Sequence, residues 1–444
     1  MKMNEEKPVA VLSRAEKDNI DLTRVGPGTM MGQLMRCYWI PAALSSELQA
    51  GGDPMRLVLL GERLVAFRSP DGSVGIMDHR CPHRNASLFY GRNEEGGLRC
   101  IYHGWQFDAT GACVDMPNVP KQHACPEKVK SQGYVTHEEK GLIWVYMGDP
   151  AKKPPLPRME IADANPEDME IEFLLRECNY MQALEGDIDT SHLGFLHVGH
   201  VELEQLNDSD LMRYVVANRA PELEVSDAPW GTTYCAAKEA GDGKSYLRFA
   251  NFLFPFWTQA PQGEFETNIF SRAWVPLDDT HTMSVTIRWK KRPPVFKKMK
   301  DGNDLPGIAP IQYAPRTTDW FGRWVPAQNL RNDYFIDRDA QREGRIYSGI
   351  LCVPMQDQAV TESMGEITDR SREHLVPSDV MIARTRRRLL QAARAYASTG
   401  ELPPGVQDSS IYRNARGGET LVDKGMSWPE HYEAQLREAT RIPG

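Results

Sequence analysis

The sequence predicts an α+β protein in which a small all-β domain precedes a larger part of mixed strands and helices. Short β-prone runs alternate with turns over about residues 38–150, as in RLVLLGERLVAFR followed by SPDG. The next stretch, DPAKKPPLPRM, is rich in Pro and Lys and is typical of a linker. Strand-like and helix-like segments then follow one another to the end of the chain. These observations predict a domain boundary at residues 151–160.

Local signals predict the individual elements. The first domain contains two further hairpin-like stretches, GWQFDATGACV and EEKGLIWVYMG. In the second part, NYMQALEGDIDTSHLGFLH has helical length with polar residues on one side, and SDVMIARTRRRLLQAARAYAST is typical of an amphipathic helix. Residues 290–315 predict a long exposed loop with a basic start. The strand-like segments of this part are MEIEFLLREC, YLRFANFLFPFW, NIFSRAWVPL and TMSVTIRWKK.

Composition and charge disfavour several classes of function. The 444 residues carry a formal net charge of −9, whereas nucleic-acid-binding proteins concentrate Lys and Arg for contact with phosphates. No run approaches the roughly 18 apolar residues of a membrane span, and the first residues lack the apolar middle of a signal peptide. We therefore expect a cytoplasmic protein with no nucleic-acid or membrane partner. Eight cysteines are too few for a disulfide scaffold, so metal binding or simple burial must explain them.

One glycine-rich stretch, CPHRNASLFYGRNEEGGLRCIYHGW, contains two cysteines and two histidines in a paired arrangement. Cys81-x-His83 and Cys100-x2-His103 each offer one thiolate and one imidazole. A structural zinc site of two Cys and two His usually places its two cysteines two to four residues apart. A Rieske [2Fe–2S] centre instead needs two thiolates on one iron and two imidazoles on the other, so two facing loops can each supply one ligand to each iron. The spacing therefore favours a Rieske cluster, with zinc as the alternative.

A second metal site is suggested by the helix-like segment that follows the linker. On an ideal helix, Asp189, His192 and His197 lie within an arc of about 140°. The five-residue step between the histidines requires local unwinding, which Gly194 permits. Two histidines and one carboxylate form the facial triad of non-haem Fe(II) oxygenases, but solvated or core histidines are the alternative. The candidate carboxylates further along the chain are Asp333, Asp337, Asp339 and Asp357, among which spacing does not choose.

These motifs resemble a known family, the Rieske non-haem iron ring-hydroxylating oxygenases. The resemblance is to the catalytic (alpha) subunit and, within it, to the phthalate-dioxygenase-like group, and it runs nearly end to end. The Cys/His stretch and QALEGDIDTSHLGFLH match the wider family, whereas TRVGPGTMMGQLMRCYWIPAAL and QDQAVTESMGEITDRSREHL match the group.

The resemblance implies both a fold and a set of ligands. The fold would be a three-sheet Rieske domain at residues 38–150 beside a helix-grip (START-like) catalytic domain with an antiparallel sheet at residues 161–444. An N-terminal helical segment, residues 1–37, would pack on the catalytic domain. Asp357 in QDQAVTES matches the family's carboxylate ligand, with Asp337 as the alternative. Carried over by position, the other ligands are Cys81, His83, Cys100 and His103 for the cluster and His192 and His197 for the mononuclear Fe(II).

The resemblance also implies partners and an assembly. An NAD(P)H-dependent reductase, of a type with FMN and a [2Fe–2S] cluster, would supply electrons for the reaction with O2. In the family, the acidic residue three before the first iron histidine links the two centres through a cluster histidine of the neighbouring subunit. Here these residues are Asp189 and His103, which implies a homotrimer or a stacked homohexamer. The alternative is that Asp189 merely caps or solvates its helix.

The substrate implied by the resemblance is an aromatic carboxylate such as a phthalate, a benzoate or a phenoxybenzoate. Arg219 and Arg248 could hold a carboxylate with two hydrogen bonds, and Ser191 could donate a third, although most arginines are solvated surface groups. We expect hydroxylation, by cis-dihydroxylation of the ring, with O-demethylation of a methoxylated aromatic acid as the alternative. A function of another class, a Rieske electron carrier without catalysis, would need only the first 150 residues.

Overall fold

The computed structural model describes residues 12–291, 298–425, 427–439 and 441–442. Part of the predicted N-terminal segment, residues 1–11, and part of the predicted loop, residues 292–297, lie outside the described residues. Within the described residues, three small antiparallel sheets precede one large antiparallel sheet. This arrangement confirms the predicted α+β class. The domain boundaries themselves stay a prediction.

The three small sheets form the first domain. One sheet has the strand order β1-β10-β9, a second β2-β3-β4 and a third β5-β6-β7-β8. The strands are β1 Trp39–Leu44, β2 Met55–Leu59, β3 Glu62–Arg68, β4 Val74–Asp78, β5 Arg92–Glu94, β6 Gly97–Arg99, β7 Gln106–Phe107, β8 Cys113–Asp115, β9 Val135–Glu139 and β10 Leu142–Tyr146.

The large sheet has the strand order β11-β17-β16-β15-β14-β13-β12, and β18 pairs with β14. Its strands bracket the segment that carries the two predicted iron histidines, which joins β11 to β12. The strands are β11 Met169–Arg176, β12 Glu222–Ala228, β13 Gly231–Gly241, β14 Lys244–Leu253, β15 Trp257–Gln259, β16 Phe270–Pro276, β17 Thr282–Trp289 and β18 Gly418–Asp423.

Two-residue turns ending in glycine set the register of three hairpins. Leu60 and Gly61 join β2 to β3 with φ angles of 46° and 76°, and Lys140 and Gly141 join β9 to β10 with 51° and 82°. Positive φ at both positions is the type I′ geometry, whose twist matches that of the flanking strands. Residues 242–243 join β13 to β14 in the same way. The hairpins predicted around ERLVAFR and GLIWVYM are therefore present.

Helices pack against the large sheet, and two helices, α1 and α2, form the N-terminal part of the described chain. In α7 the residues Met381, Thr385, Leu389 and Ala393 recur every four positions and are buried, and this face packs against β12, β13, α1 and α2. None of the described helices is both long and apolar enough to cross a membrane. The helices are α1 Arg14–Thr23, α2 Met30–Met35, α3 Tyr180–Asp187, α4 Met212–Ala217, α5 Arg338–Arg342, α6 Val353–Ser363, α7 Val380–Thr399 and α8 Trp428–Glu438.

Two of the four hydrophobic cores among the described residues concern these layers. The larger core joins the large sheet to the β1-β10 sheet, where Trp144 of β10 lies 6.1 Å from Trp257 of β15 between ring centroids. A smaller, separate core surrounds Cys81 and Cys100, and it contains Phe107. The paired cysteines therefore have a packed support of their own, outside the main core.

Candidate metal centres

The two loops that carry the paired Cys and His residues repeat the same backbone hydrogen bonds. The amide of Cys81 donates to the carbonyl of Ala86, and the amide of Cys100 donates to the carbonyl of Trp105, each over 2.8 Å. Each cysteine carbonyl in turn accepts from the amide four residues later, over 2.8 and 2.9 Å. Both sulfur-bearing side chains are buried. The two loops are therefore built alike although their sequences differ.

Both loops close through a residue in the left-handed region. Asn85 has φ 61° in the first loop, and Gly104 has φ 81° in the second. Asn and Gly are the residues that adopt this conformation at least cost. A Cβ on Gly104 would also lie 2.6 Å from Cγ of Pro117, so the second loop requires glycine for space as well as for torsion.

The imidazoles of His83 and His103 lie against each other, edge to face. The ring centroids of His83 and His103 are 4.5 Å apart, and His83 stacks on Trp105. Nδ1 of His103 is buried and has no hydrogen-bond partner among the described residues. Burial raises the pKa of the Cys81 thiol to about 11, and the neighbouring thiol of Cys100 adds to the rise. A thiolate at Cys81 therefore needs a bound cation to stabilise it. Nδ1 of His103 is free to bind a metal ion.

The arrangement does not suit a single zinc ion. A tetrahedral zinc site brings its four donor atoms close around one point, with metal–ligand bonds of about 2.0–2.3 Å. Among the described residues, the only group in which at least three Cys, His, Asp or Glu donor atoms lie within 4.8 Å of one another is His192, His197 and Asp357. The donors of the two loops are therefore spread more widely, as a two-iron cluster with paired ligands requires.

The mononuclear site closes between two distant segments. Nε2 of His197 lies 3.1 Å from Nε2 of His192 and 3.0 Å from Oδ1 of Asp357, which is 3.6 Å from Nε2 of His192. Burial alone would raise the pKa of the Asp357 carboxyl, but the imidazoles of His197 and His192 lower it strongly, so this carboxylate is ionised. The three donor atoms present the facial set that a non-haem iron accepts.

The structure also separates the two carboxylates that the resemblance left as alternatives. Asp357 lies on α6 against the histidines. Asp337 instead caps α5, because its Oδ1 accepts hydrogen bonds from the amides of Asp339 and Ala340 over 3.0 and 2.8 Å. The Asp337 carboxylate is therefore engaged in hydrogen bonds at the N-terminus of α5.

A π-helix accounts for the five-residue step between the histidines. The helix-like segment, which was predicted to unwind locally near Gly194, is interrupted: α3 ends at Asp187, and a π-helix spans Leu193–His197. The amide of Val198 donates to the carbonyl of Leu193 over 3.2 Å, a five-residue bond that widens the turn. Gly194 lies inside this turn with ordinary torsions, and a Cβ there would lie 3.1 Å from Cγ of Arg219. The absence of a side chain at Gly194 thus leaves space for Arg219, whereas its φ is one that any residue can adopt.

Asp189 lies beside the first iron histidine. Its Oδ2 is 3.4 Å from Nδ1 of His192, and its Oδ1 accepts from the amide of Ser191 over 2.7 Å. A quarter of the Asp189 side chain remains exposed. Burial opposes ionisation, but the hydrogen bond with His192 lowers the pKa of Asp189 below its ordinary value, so a charged carboxylate is available at the protein surface.

A cavity of about 420 Å³ opens against this site. His192, His197 and Asp357 line one part of it, and the sheet supplies four arginines to the rest. Two of these arginines have close acidic partners: Arg272 lies 2.6 Å from Asp187, and Arg288 holds Glu170 with two bonds of 2.9 Å. The volume falls within the range of small-molecule sites.

Comparison with known proteins identifies the family. Residues 38–131 match the Rieske [2Fe-2S] domain, and residues 145–443 match the family described as LigXa C-terminal domain like. The second match alone covers more than half of the chain. The chain belongs to the Rieske oxygenase alpha subunits. It is therefore an oxidoreductase that carries a Rieske [2Fe–2S] cluster and a mononuclear iron, and the resemblance read from the sequence is confirmed.

Two relatives of this Rieske oxygenase each cover more than nine-tenths of its length. It is 48% identical to the 3-chlorobenzoate-3,4-dioxygenase oxygenase subunit of Comamonas testosteroni, over 96% of this chain and 99% of that protein. It is 33% identical to the phthalate 4,5-dioxygenase oxygenase subunit of Pseudomonas putida, over 94% of each. The fold is shared with a crystal structure of dicamba monooxygenase bound to dicamba, with a TM-score of 0.55 at 18% identity over 82% of this chain and 99% of that chain. Oxygenase subunits of this kind imply a separate reductase.

Only one of the three predicted substrate residues lines the cavity of this Rieske oxygenase. Arg248, on β14, is buried there; its Nη2 donates to the carbonyl of Pro261 over 2.9 Å. Arg219 instead lies over the ring of Phe195, 5.2 Å from its centroid, and Ser191 is also outside the cavity lining.

Sequence reasoning missed Arg176 as a cavity residue. It is 3% exposed, its Nη1 donates to Oγ1 of Thr361 over 2.9 Å, and its guanidinium lies 4.7 Å from the centroid of Trp274. The available signal was a single cation directly after the apolar residues FLL, because a charge in a buried strand usually has a special reason.

Proposed function

We propose that this Rieske oxygenase hydroxylates an aromatic carboxylate, such as a benzoate, a phthalate or a phenoxybenzoate, by cis-dihydroxylation of the ring. The observation that carries the proposal is the shared cavity, in which the donor atoms of His192, His197 and Asp357 and the guanidinium of Arg248 line one space. The two relatives described above are named for a chlorobenzoate and a phthalate, and both are called dioxygenases. O-demethylation of a methoxylated aromatic acid is the second candidate, because the same cavity could present a methoxy group instead of a ring edge.

The proposal assigns ligands to both metal groups. Cys81 and Cys100 would hold one iron of the cluster, and His83 and His103 would hold the other. The free Nδ1 of His103 and the burial of Cys81 and Cys100 next to each other support this set. When bound, the cluster supplies single electrons and the mononuclear iron activates O2. His192, His197 and Asp357 would hold that iron, and all three residues line the cavity.

Arg248 orients the substrate in this proposal. Its guanidinium is buried, its Nε has no hydrogen-bond partner among the described residues, and its Nη1 lies 3.9 Å from Glu419. A bound carboxylate would accept hydrogen bonds from this side chain, which are strong because both partners are charged. The ring attached to that carboxylate would then extend towards the histidine pair. The cavity wall, rather than the metal ligands, determines which ring edge faces the site.

The partners follow from the same assignment. An NAD(P)H-dependent reductase with FMN and a [2Fe–2S] cluster would deliver the electrons. The subunits would form a homotrimer, alone or stacked as a homohexamer, in which Asp189 accepts a hydrogen bond from His103 of a neighbouring subunit. The exposed quarter of Asp189 supports such a contact. We place the enzyme in the cytoplasm. A Rieske electron carrier without catalysis is disfavoured, because it would leave the His192, His197 and Asp357 group without a purpose.

The substrate class is tested by O2 uptake with a surrogate reductase and a panel of benzoates, phthalates and phenoxybenzoates. Arg248→Gln should raise KM for the accepted carboxylate about 10- to 100-fold, since a charged hydrogen bond contributes about 1.5–3 kcal/mol. Arg219→Gln is the matched control, because Arg219 lies outside the cavity lining, and its KM should stay near the wild-type value. Uptake with none of the acids, or an equal KM effect in the two variants, would contradict the proposed substrate class or the role of Arg248.

A further inference from the structure

Gln356 contacts the mononuclear site without being a candidate ligand. It is fully buried on α6, next to Asp357. Its Oε1 lies 2.7 Å from Nδ1 of His197, and its Nε2 donates to the carbonyl of Ile350 over 2.7 Å. A carbonyl can only accept a hydrogen bond. The amide nitrogen therefore faces Ile350 and the amide oxygen faces His197.

This orientation determines where His197 carries its proton. Because Oε1 of Gln356 only accepts, Nδ1 of His197 must carry the hydrogen that it donates. In the neutral ring, Nε2 then has the free lone pair, and this atom lies 3.0 Å from Oδ1 of Asp357. The atom that faces the other two donors is thus the one able to bind a metal.

The amide of Gln356 is also held in place by its surroundings. A Cβ on Gly307 would lie 2.9 Å from Nε2 of Gln356, and Gly307 has φ 91°. The backbone at Gly307 therefore packs directly against the amide of Gln356. A side chain at position 307 would displace this amide. Backbone contact on one side and the Ile350 carbonyl on the other leave the amide little freedom to rotate.

The two iron histidines are supported differently. His192 faces the partly exposed carboxylate of Asp189 at 3.4 Å, whereas His197 faces a buried amide at 2.7 Å. The contact at His197 is shorter, uncharged and shielded from water. His192 is thus the histidine linked to the surface, and His197 is the one fixed from inside the protein.

We propose that Gln356 is a positioning residue that fixes the tautomer and ring orientation of His197 and so maintains the affinity of the mononuclear site for Fe2+. The inference rests on the ligand set of the proposed function. Residues that hydrogen-bond the second nitrogen of a metal-binding histidine commonly change metal affinity about 10- to 100-fold when they are replaced.

The test compares two glutamines on the same helix. Gln356→Met keeps the volume of the side chain and removes the acceptor. Gln358→Met is the matched control, since Gln358 is 1% exposed and donates to the carbonyl of Leu175 over 3.0 Å and to Glu362. Protein stripped of its mononuclear iron with a mild chelator is titrated with Fe2+, and the visible absorption of the cluster confirms that the rest of the enzyme is intact. We expect Kd to rise about 10- to 100-fold in Gln356→Met and less in Gln358→Met.

Two further variants separate the possible failures. Gln356→Glu keeps an acceptor oxygen at the same reach, so it should bind Fe2+ more tightly than Gln356→Met; no recovery would overturn the inference. Equal losses in Gln356→Met and Gln358→Met would also overturn it, because packing would then explain both. If His197→Ala loses its mononuclear iron while Gln356→Met binds Fe2+ like the wild type, only this inference fails. Full iron retention in His197→Ala would instead refute the proposed ligand set.

Discussion

The two cluster loops and the mononuclear site position their candidate metal ligands in different ways. The four candidate cluster ligands lie between residues 81 and 103, in two loops with the same backbone hydrogen bonds and a small core of their own. The mononuclear site joins a π-helix to α6, and His197 and Gln356 are 159 positions apart in the sequence. The loops hold their ligands through local turns, whereas the second site depends on how α3, the sheet and α6 pack. The two centres should therefore fail separately when their ligands are replaced.

The largest effect is expected at the cluster loops. Cys100→Ala removes one of two thiolates from one iron, and a cluster held by three side chains should not persist. Iron analysis should fall from about three atoms per chain to about one, and the visible absorption of the cluster should disappear. A variant that retains that absorption would show that Cys100 is not a ligand.

Asp357→Ala should give the complementary loss. The cluster absorption should remain, and the iron content should fall by about one atom per chain, because the facial set loses its carboxylate. Asp337→Ala serves as the control. It removes the cap of α5 at a cost of about 1 kcal/mol in the free energy of unfolding, and it should leave both iron populations unchanged. Loss of iron in Asp337→Ala, with none in Asp357→Ala, would reverse the assignment of the carboxylate.

Asp189→Ala tests the proposed link between the two centres. Both metals should stay bound when Fe2+ is in excess, because Asp189 is not a ligand in the proposed set. Product formation in a single turnover of reduced enzyme should slow by roughly 100-fold, as expected when a hydrogen-bonding neighbour of a ligand is removed. Asp189→Asn keeps an acceptor oxygen and should be affected less. Rapid single turnover in Asp189→Ala would exclude the relay and leave Asp189 as a local support of His192.

The smallest effects are expected at the two glycines. Gly104→Ala should lower the free energy of unfolding by about 2 kcal/mol, because alanine pays about 1–2 kcal/mol in the left-handed region and its Cβ would lie 2.6 Å from Pro117. Gly194→Ala should change stability by less than about 1 kcal/mol, since the flexible side chain of Arg219 can move and alanine favours helices. Denaturant unfolding of both variants checks the order, and a larger loss in Gly194→Ala would contradict the description of the π-helix.

The same contrast explains what the sequence could predict. The cluster motif, the glycine-ended hairpins and the linker are local features, and their residue types and spacing are informative without tertiary structure. The sequence also indicated His192 and His197 as a pair, together with the need for local unwinding between them. It did not predict the π-helix itself, because a five-residue step is compatible with several distortions of a helix and packing selects one.

Long-range features of the cavity were predicted least well. Asp333, Asp337, Asp339 and Asp357 were equivalent by spacing, and only the packing of α6 brings Asp357 to the histidines. Arg219 stood in a suitable region of the chain but lies over Phe195 instead. Arg176 was missed because a single arginine at the end of a strand has the same pattern as a surface residue.

In the proposed function, this cavity presents an aromatic ring for dihydroxylation while Arg248 holds its carboxylate. Mass spectrometry of the product formed under 18O2, from a carboxylate that stimulates O2 uptake, tests this. We expect both labelled oxygen atoms to appear as hydroxyl groups on adjacent ring carbons. Formaldehyde release without label on adjacent ring carbons would contradict this and favour O-demethylation.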